Sequence, residues 1–310
     1  MIQQIQELEQ PEELMATQSV DRMILAEIDV QVATAKRFPR NITTFKAKAL
    51  AHATQDEDTA RGCFYALPRK DRHGGEKVII GESIRLAEIV ASSWGNLRCA
   101  AQVISDDGRF LRARGMVIDL ESNVAWSRDV VRRITDRNGR RYSDDMVAVA
   151  ANAACSIALR NAVLSAVPRV YVRPIFEAAR KLAVGDAASL KERRQKAVES
   201  FGKLGVTVER VLARLGKPGL DDLGLEEIEI LTGLWTAIRD GEVDVDEAFP
   251  PIAPPERPGE TKGERLARQL RSAREKETNG NAEKAIPEPD ARGTGNRPRI
   301  LPADDGEKPE

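Results

Sequence analysis

The sequence predicts an α+β protein: an antiparallel β-meander packed on a long helix, followed by a helical C-terminal region and a disordered tail. Three observations carry this. Extended runs at Leu97–Ser105, Arg109–Asp119 and Asn123–Thr135 are separated by turn pairs at Asp107-Gly108 and Glu121-Ser122, with another at Asn138-Gly139. A run rich in alanine then opens at Ser143 or Asp144 and continues to about Ala166, just before Pro168, as a helix would. Finally, the last 61 residues, from Pro250, hold 10 of the 16 prolines and no aromatic residue. Such a segment cannot bury enough apolar surface to offset its chain entropy.

The remaining elements follow in order. Ala60–Pro68 and Lys77–Ile80 read as short strands joined by a turn at Gly74-Gly75. Ser83–Trp94 has apolar residues at helical spacing and stops at Gly95-Asn96. Residues 172–203 are helical in pattern, and Leu231, Leu234, Trp235 and Ile238 make an apolar stripe. Asp244 and Glu247 suggest an acidic capping box ending at Phe249, and Leu266 and Leu270 suggest a short helix over Thr261–Glu277. The division is 1–185 for the core domain, 186–249 for an acidic helical region and 250–310 for the tail.

The chain has 310 residues, 48 Lys+Arg and 49 Asp+Glu, a net charge of −1. That total argues against a nucleic-acid partner until it is divided. Residues 1–60 carry 6 bases and 10 acids, residues 61–196 carry 25 and 15, and residues 197–310 carry 17 and 24. A basic middle thus lies between acidic flanks, a distribution suited to a polyanion. Residues 220–249 hold 10 acids and one base, so this part is expected to keep off phosphate and to pack on the core or meet a protein. No stretch approaches the roughly 18 unbroken apolar residues of a membrane span. Met1–Glu13 carries four acids and no bases, unlike a secretory or transit peptide. Three scattered cysteines argue for a reducing compartment and against a disulfide framework.

No phosphate-loop motif is present; Gly216–Gly219 lacks both the spacing and the hydroxyl. His52 and His73 have no cysteine at metal-ligand spacing, so neither a metal nor a cofactor is expected. Cys63 with His73 could pair as nucleophile and base, though a part-buried strand cysteine is the commoner outcome. The acid pairs Asp106-Asp107, Asp144-Asp145 and Asp221-Asp222 could serve a Mg²⁺-dependent nuclease, but the first sits in a hairpin turn and the second at a helix start, where aspartate belongs for structural reasons.

The positive signal is arginine. Segment 109–141 has 9 arginines and 4 acids. By the strand period of two, Phe110, Arg112, Arg114, Met116 and Ile118 share one side, and Val124, Trp126, Arg128, Val130 and Arg132 share one side of the next strand. Arg137, Arg140, Arg141 and Tyr142 follow in the loop. Arginine interleaved with aromatic groups suits a sugar-phosphate track with exposed bases. Trp126 is better read as a core residue, and a core position is an alternative for Phe110 as well. On the following helix, Asn152, Ser156 and Arg160 fall at i, i+4 and i+8 and make one polar strip, with Asn161 beside it.

Three meander strands followed by a small-residue helix ending Ser156-Ile-Ala-Leu-Arg-Asn-Ala162 resemble the core of the single-strand annealing superfamily that includes the phage RecT, Red-beta and Erf recombinases. Gly81-Glu-Ser-Ile-Arg-Leu-Ala-Glu88 with Trp94-Gly-Asn96, and Ala237-Ile-Arg-Asp-Gly241 with Asp246-Glu-Ala-Phe249, are similar to the RecT-like group, over roughly residues 25–250. The resemblance implies an ATP-independent protein of phage homologous recombination in the bacterial host cytoplasm. It would bind single-stranded DNA, anneal complements and assemble into rings or filaments, with no catalytic residue. It places Arg112, Arg114, Arg128, Arg132, Arg133 and Arg160 against the DNA backbone, beside the loop residues Arg137, Arg140 and Arg141. A phage exonuclease or the host single-strand-binding protein would dock on the acidic region. Two other functions fit the residues: the nuclease above, and a structural or adaptor protein whose basic sheet is an oligomer interface.

Overall fold

The structure, a computed structural model, describes residues 11–70, 76–136 and 138–252. The chain divides after Ile252 into two units, and every described residue lies in the first. The turn expected at Gly74-Gly75, His73, Arg137, the first ten residues and the tail from residue 253 fall outside the described residues.

Helices α1 (Pro11–Arg37), α2 (Ile42–Ala53) and α3 (Glu57–Gly62) precede the hairpin β1 (Phe64–Lys70) and β2 (Glu76–Glu82), which pair antiparallel from Phe64 opposite Glu82 to Lys70 opposite Glu76. The segment 60–63, expected to be extended, instead closes α3 and its cap. Asp56 accepts a 2.7 Å bond from the Thr59 amide and starts a helical turn that delays the strand to Phe64. Helix α4 (Ile84–Trp94) is capped by Ser83, whose hydroxyl accepts from the Leu86 amide.

The meander follows as β3 (Leu97–Asp106), β4 (Phe110–Asp119) and β5 (Val124–Arg133), a three-stranded antiparallel sheet with β4 at its centre. Helix α5 (Asp144–Ala166) lies across one face of it. Its closest approach is at Gly115, where a Cβ would stand 2.5 Å from the Leu159 nitrogen and nearer still to the Ala158 carbonyl. Glycine and the alanines of α5 let helix and sheet touch backbone to backbone. Among the described residues α5 is the one helix with the length and apolarity of a membrane span, and it is packed on the sheet.

The helical pattern over 172–203 divides at Gly185 into α6 (Arg169–Val184) and α7 (Leu190–Gly202). Helices α8 (Val208–Leu215), α9 (Leu225–Arg239) and α10 (Val245–Ala248), with a short 3-10 turn at Leu220–Asp222, complete the unit. Three hydrophobic clusters hold it together. Phe45, Phe64, Leu86, Val90, Trp94, Val163 and Phe176 join α2, α4, α5 and α6, with Phe45 edge-on to Trp94 at 4.9 Å. Leu111, Ala113, Ile134, Ala154 and Ala158 fill the space between α5 and the sheet. Phe201, Leu231, Leu234 and Phe249 pack with Ala66 of β1. Across the boundary expected at residue 185, therefore, α9 shares a core with the first hairpin. The Arg180–Glu229 ion pair at 2.5 Å and a bond from the Thr236 hydroxyl to the Arg61 carbonyl tie the same parts together.

Candidate nucleic-acid interface

The register of the meander sorts its arginines. Leu111, Ala113, Gly115, Val117 and Asp119 of β4 are buried on the side that α5 covers, so Phe110, Arg112, Arg114 and Met116 face the other way and are exposed. In the pairing with β5, Arg133 lies opposite Phe110, Val131 opposite Arg112 and Asp129 opposite Arg114. The outer face thus carries Arg112, Arg114 and Arg133. Arg128 lies opposite Gly115 and Arg132 opposite Leu111, which places both on the α5 side. The two arginine sets therefore point to opposite sides of the sheet. Trp126 is half-buried against the core, and Phe110 is exposed.

On the outer face, Arg114 holds both oxygens of Asp129 at 2.8 and 3.0 Å, and Arg112 reaches the same carboxylate at 3.8 Å. The Arg114 hydrogen bond, the largest influence, keeps the Asp129 carboxyl below its ordinary range. Arg133 donates to the Thr135 hydroxyl at 2.8 Å and to the Asp136 carbonyl. The apolar side chains Phe110, Met116 and Val131 are 40%, 38% and 50% exposed between these cations, and the Arg109 guanidinium sits 5.8 Å from the Phe110 ring centre. At the opposite end Arg98 donates to Glu27 and Gln31 of α1, each at 2.9 Å.

The loop after β5 folds back through a bridge between Thr135 and Arg141, organised by Asp136, whose carboxylate accepts from the Asn138 and Arg140 amides. Arg140 is exposed. Arg141 makes a two-pronged ion pair with Asp106 at 3.0 and 2.7 Å, linking the loop to the end of β3. That pair and the Gly108 amide hold the Asp106 carboxyl down to about 2. Ion pairs this exposed contribute little to stability, so an anion can exchange for the carboxylate at little cost.

On the other side, Arg132 and Arg160 are not open to solvent in the way the resemblance implies. Arg160 is 6% exposed, pairs with the Glu242 carboxylate and lies 4.5 Å from the Tyr65 ring centre. Arg132 donates to the carbonyls of Gly241 at 2.7 Å and Glu242 at 3.3 Å. The turn after α9 thus occupies guanidinium donors of both residues in this structure. Arg128 remains exposed, donating to its neighbour's carbonyl at Ser127.

The acid pairs serve the backbone. Asp106 accepts from the Gly108 amide, Asp107 from the Arg109 and Phe110 amides, Asp144 and Asp145 occupy the first turn of α5, and Asp221 and Asp222 form the 3-10 turn. Among the described residues no three His, Cys, Asp or Glu side chains are grouped to hold a metal. Cys63 is buried, and burial pushes its thiol up to about 12.

Two residues that matter here carry no signal in strand periodicity. Asp129 becomes legible only once the hairpin register sets it opposite Arg114. Glu242 lies 82 residues from Arg160, in an acidic segment where no spacing singles it out as the partner. None of the protein families, curated proteins or solved structures compared with this chain matches it. The geometry itself therefore carries the functional argument. It offers an open sheet face where guanidinium groups alternate with apolar side chains, bordered at one end by a basic loop.

Proposed function

We propose that this chain binds single-stranded DNA and anneals complementary strands without ATP, as a RecT-like recombination protein of a phage acting in the bacterial host cytoplasm. The observation that supports this reading is the outer sheet face. Arg112, Arg114 and Arg133 surround Phe110, Met116 and Val131 on a surface where, among the described residues, all six side chains are exposed. Arginine neutralises phosphate and releases condensed counterions, while exposed apolar and aromatic groups support unstacked bases. A strand held this way keeps its pairing edges free for a complement. No bond is made or broken, so the activity requires no catalytic residue and no cofactor.

Annealing of complementary fluorescent oligonucleotides, without ATP and at two salt concentrations, tests the reading. Acceleration over a protein-free control, falling as salt rises, is expected. Absence of acceleration at low salt overturns it.

One observation favours a second reading. The exposure of Phe110, Met116 and Val131 also suits a protein partner, including another copy of this chain in a ring or filament. Under an adaptor role oligonucleotide binding would be weak and indifferent to salt. The acidic α9–α10 region would then be where an exonuclease or single-strand-binding protein docks.

A further inference from the structure

Two arginines from different elements converge on one residue of a third. Arg132 comes from β5 and Arg160 from α5. Glu242 supplies a carboxylate oxygen to Arg160 and its own carbonyl, together with that of Gly241, to Arg132. The two guanidinium groups therefore both spend donors on oxygens of one turn, one of them anionic, and a phosphate group is an anion that guanidinium donors of this kind can share. We propose that Arg132 and Arg160 form a site for a phosphate group, closed in this structure by the chain's own Glu242, and that it extends the strand-binding surface around the edge of the sheet. The part concerning the DNA strand rests on the function proposed above; the anion site itself does not.

The surroundings fit a displaceable plug. Glu242 is held at a cost: burial pushes its carboxyl above the ordinary range, although Arg160 pulls the other way. Val243, Ala248 and Phe249 beyond it are anchored in the α7–α10 cluster, so only the turn has to move. Gly241 supplies the left-handed backbone there, with φ +69. A route inward also exists. The polar strip of α5 passes from exposed Asn152 through half-buried Ser156 to buried Arg160. Asn152 and Ser156 line a cavity of about 310 Å³ together with Arg85, Arg239, Asp240 and Gly241. Arg128, exposed on the same side of β5 four residues before Arg132, continues the cationic track along the edge strand.

The test uses the full chain and two variants. Glu242→Ala leaves Arg160 without its carboxylate, and a phosphate group should replace it. Its thermal midpoint should rise when pyrophosphate replaces chloride at equal ionic strength, while the wild type shifts far less and Glu242→Ala with Arg160→Met does not shift. Glu242→Gln keeps the side-chain size and supplies the same readout if the alanine variant does not fold. In a second arm, Glu242→Gln should bind an oligothymidylate several-fold more tightly than wild type. Its slope of log affinity against log salt should be steeper by roughly 0.7 for each phosphate newly neutralised. Failure of pyrophosphate to stabilise either variant beyond wild type overturns the site. Stabilisation by pyrophosphate with unchanged oligothymidylate affinity, in a wild type that binds the strand, overturns its part in strand binding. If the wild type binds no strand at all, the proposed function falls, and the pyrophosphate arm still decides the site.

Discussion

Arg40 grips both oxygens of Asp119, at 2.7 and 2.8 Å, while its guanidinium lies 4.6 Å from the centre of the Trp94 ring. The pair fastens the α1–α2 junction to the last residue of β4, and the Asp119 carboxylate also receives the Glu121 and Ser122 amides. Burial, the largest single influence on Asp119, raises its pKa, but Arg40 and the two amides together bring it below the ordinary value. Because the folded pKa is depressed, this contribution is complete above the unfolded value and is lost as pH falls through the folded one. Arg40→Ala should cost about 3 kcal/mol, since it strands a buried carboxylate. Urea denaturation at neutral pH checks this, and the loss should shrink in acid.

On the outer face, under the proposed function, Asp129 would compete with phosphate for Arg112 and Arg114. Asp129→Asn should therefore raise oligonucleotide affinity several-fold, and Arg112→Ala or Arg133→Ala should lower it. Each arginine loss should flatten the salt slope by roughly 0.7. Fluorescence anisotropy across a salt series measures both. Equal slopes for wild type and the two arginine variants would show that the strand lies elsewhere.

Gly115 is the point at which the sheet touches α5. A methyl group there meets the Ala158 carbonyl and the Leu159 amide, backbone that cannot rotate away. Gly115→Ala should thus destabilise by about 1–3 kcal/mol or more, by overpacking. A lowered thermal midpoint, read by circular dichroism, is the expected result.

The Asp106–Arg141 pair ties the basic loop to the β3–β4 turn. An aspartate in an unfolded chain titrates near 3.9. Asp106 is held at about 2, so its contribution is full above about pH 4 and disappears as pH falls through 2. In Arg141→Met the Asp106 carboxyl should titrate higher, closer to the unstructured value, which carboxyl NMR detects directly.

The thiols should differ in reactivity. Cys99 is exposed on β3, whereas Cys63 is buried and its thiol is pushed up to about 12. Iodoacetamide at mildly alkaline pH should alkylate Cys99 before Cys63, and Cys63 should react at an appreciable rate only in denaturant.

Much of this architecture is legible in the residues. The turn pairs at Asp107-Gly108 and Glu121-Ser122 bound the strands to within a few positions, and Ser143 marks the start of α5 because its hydroxyl caps the Met146 amide. The parity of the arginines is another matter. A period of two tells which residues of one strand share a side, but the register across the turn decides which sides coincide. That register, with Asp119 paired to Val124, sets Arg114 beside Asp129 and sends Arg128 to the helix side. The burial of Arg160 is equally hidden, since its partner Glu242 lies 82 residues away and the acidity of its segment, though compatible with packing on the core, does not say which residue it meets. The missed start of β1 has a local cause, the Asp56 cap, which turns residues that could extend into a helix.

The consecutive pair Arg132-Arg133 carries a consequence for how this sequence can change. One guanidinium closes an internal joint; its immediate neighbour meets water on the far side of the sheet. Substitution at the first position should register as lost folding and at the second as lost adhesion to a polyanion. Inserting one residue into β5 ahead of them would trade those duties. Under the proposed function, a lineage could therefore retune its grip on nucleic acid at Arg133 while Arg132 stayed fixed, with a single peptide bond separating the adjustable position from the constrained one.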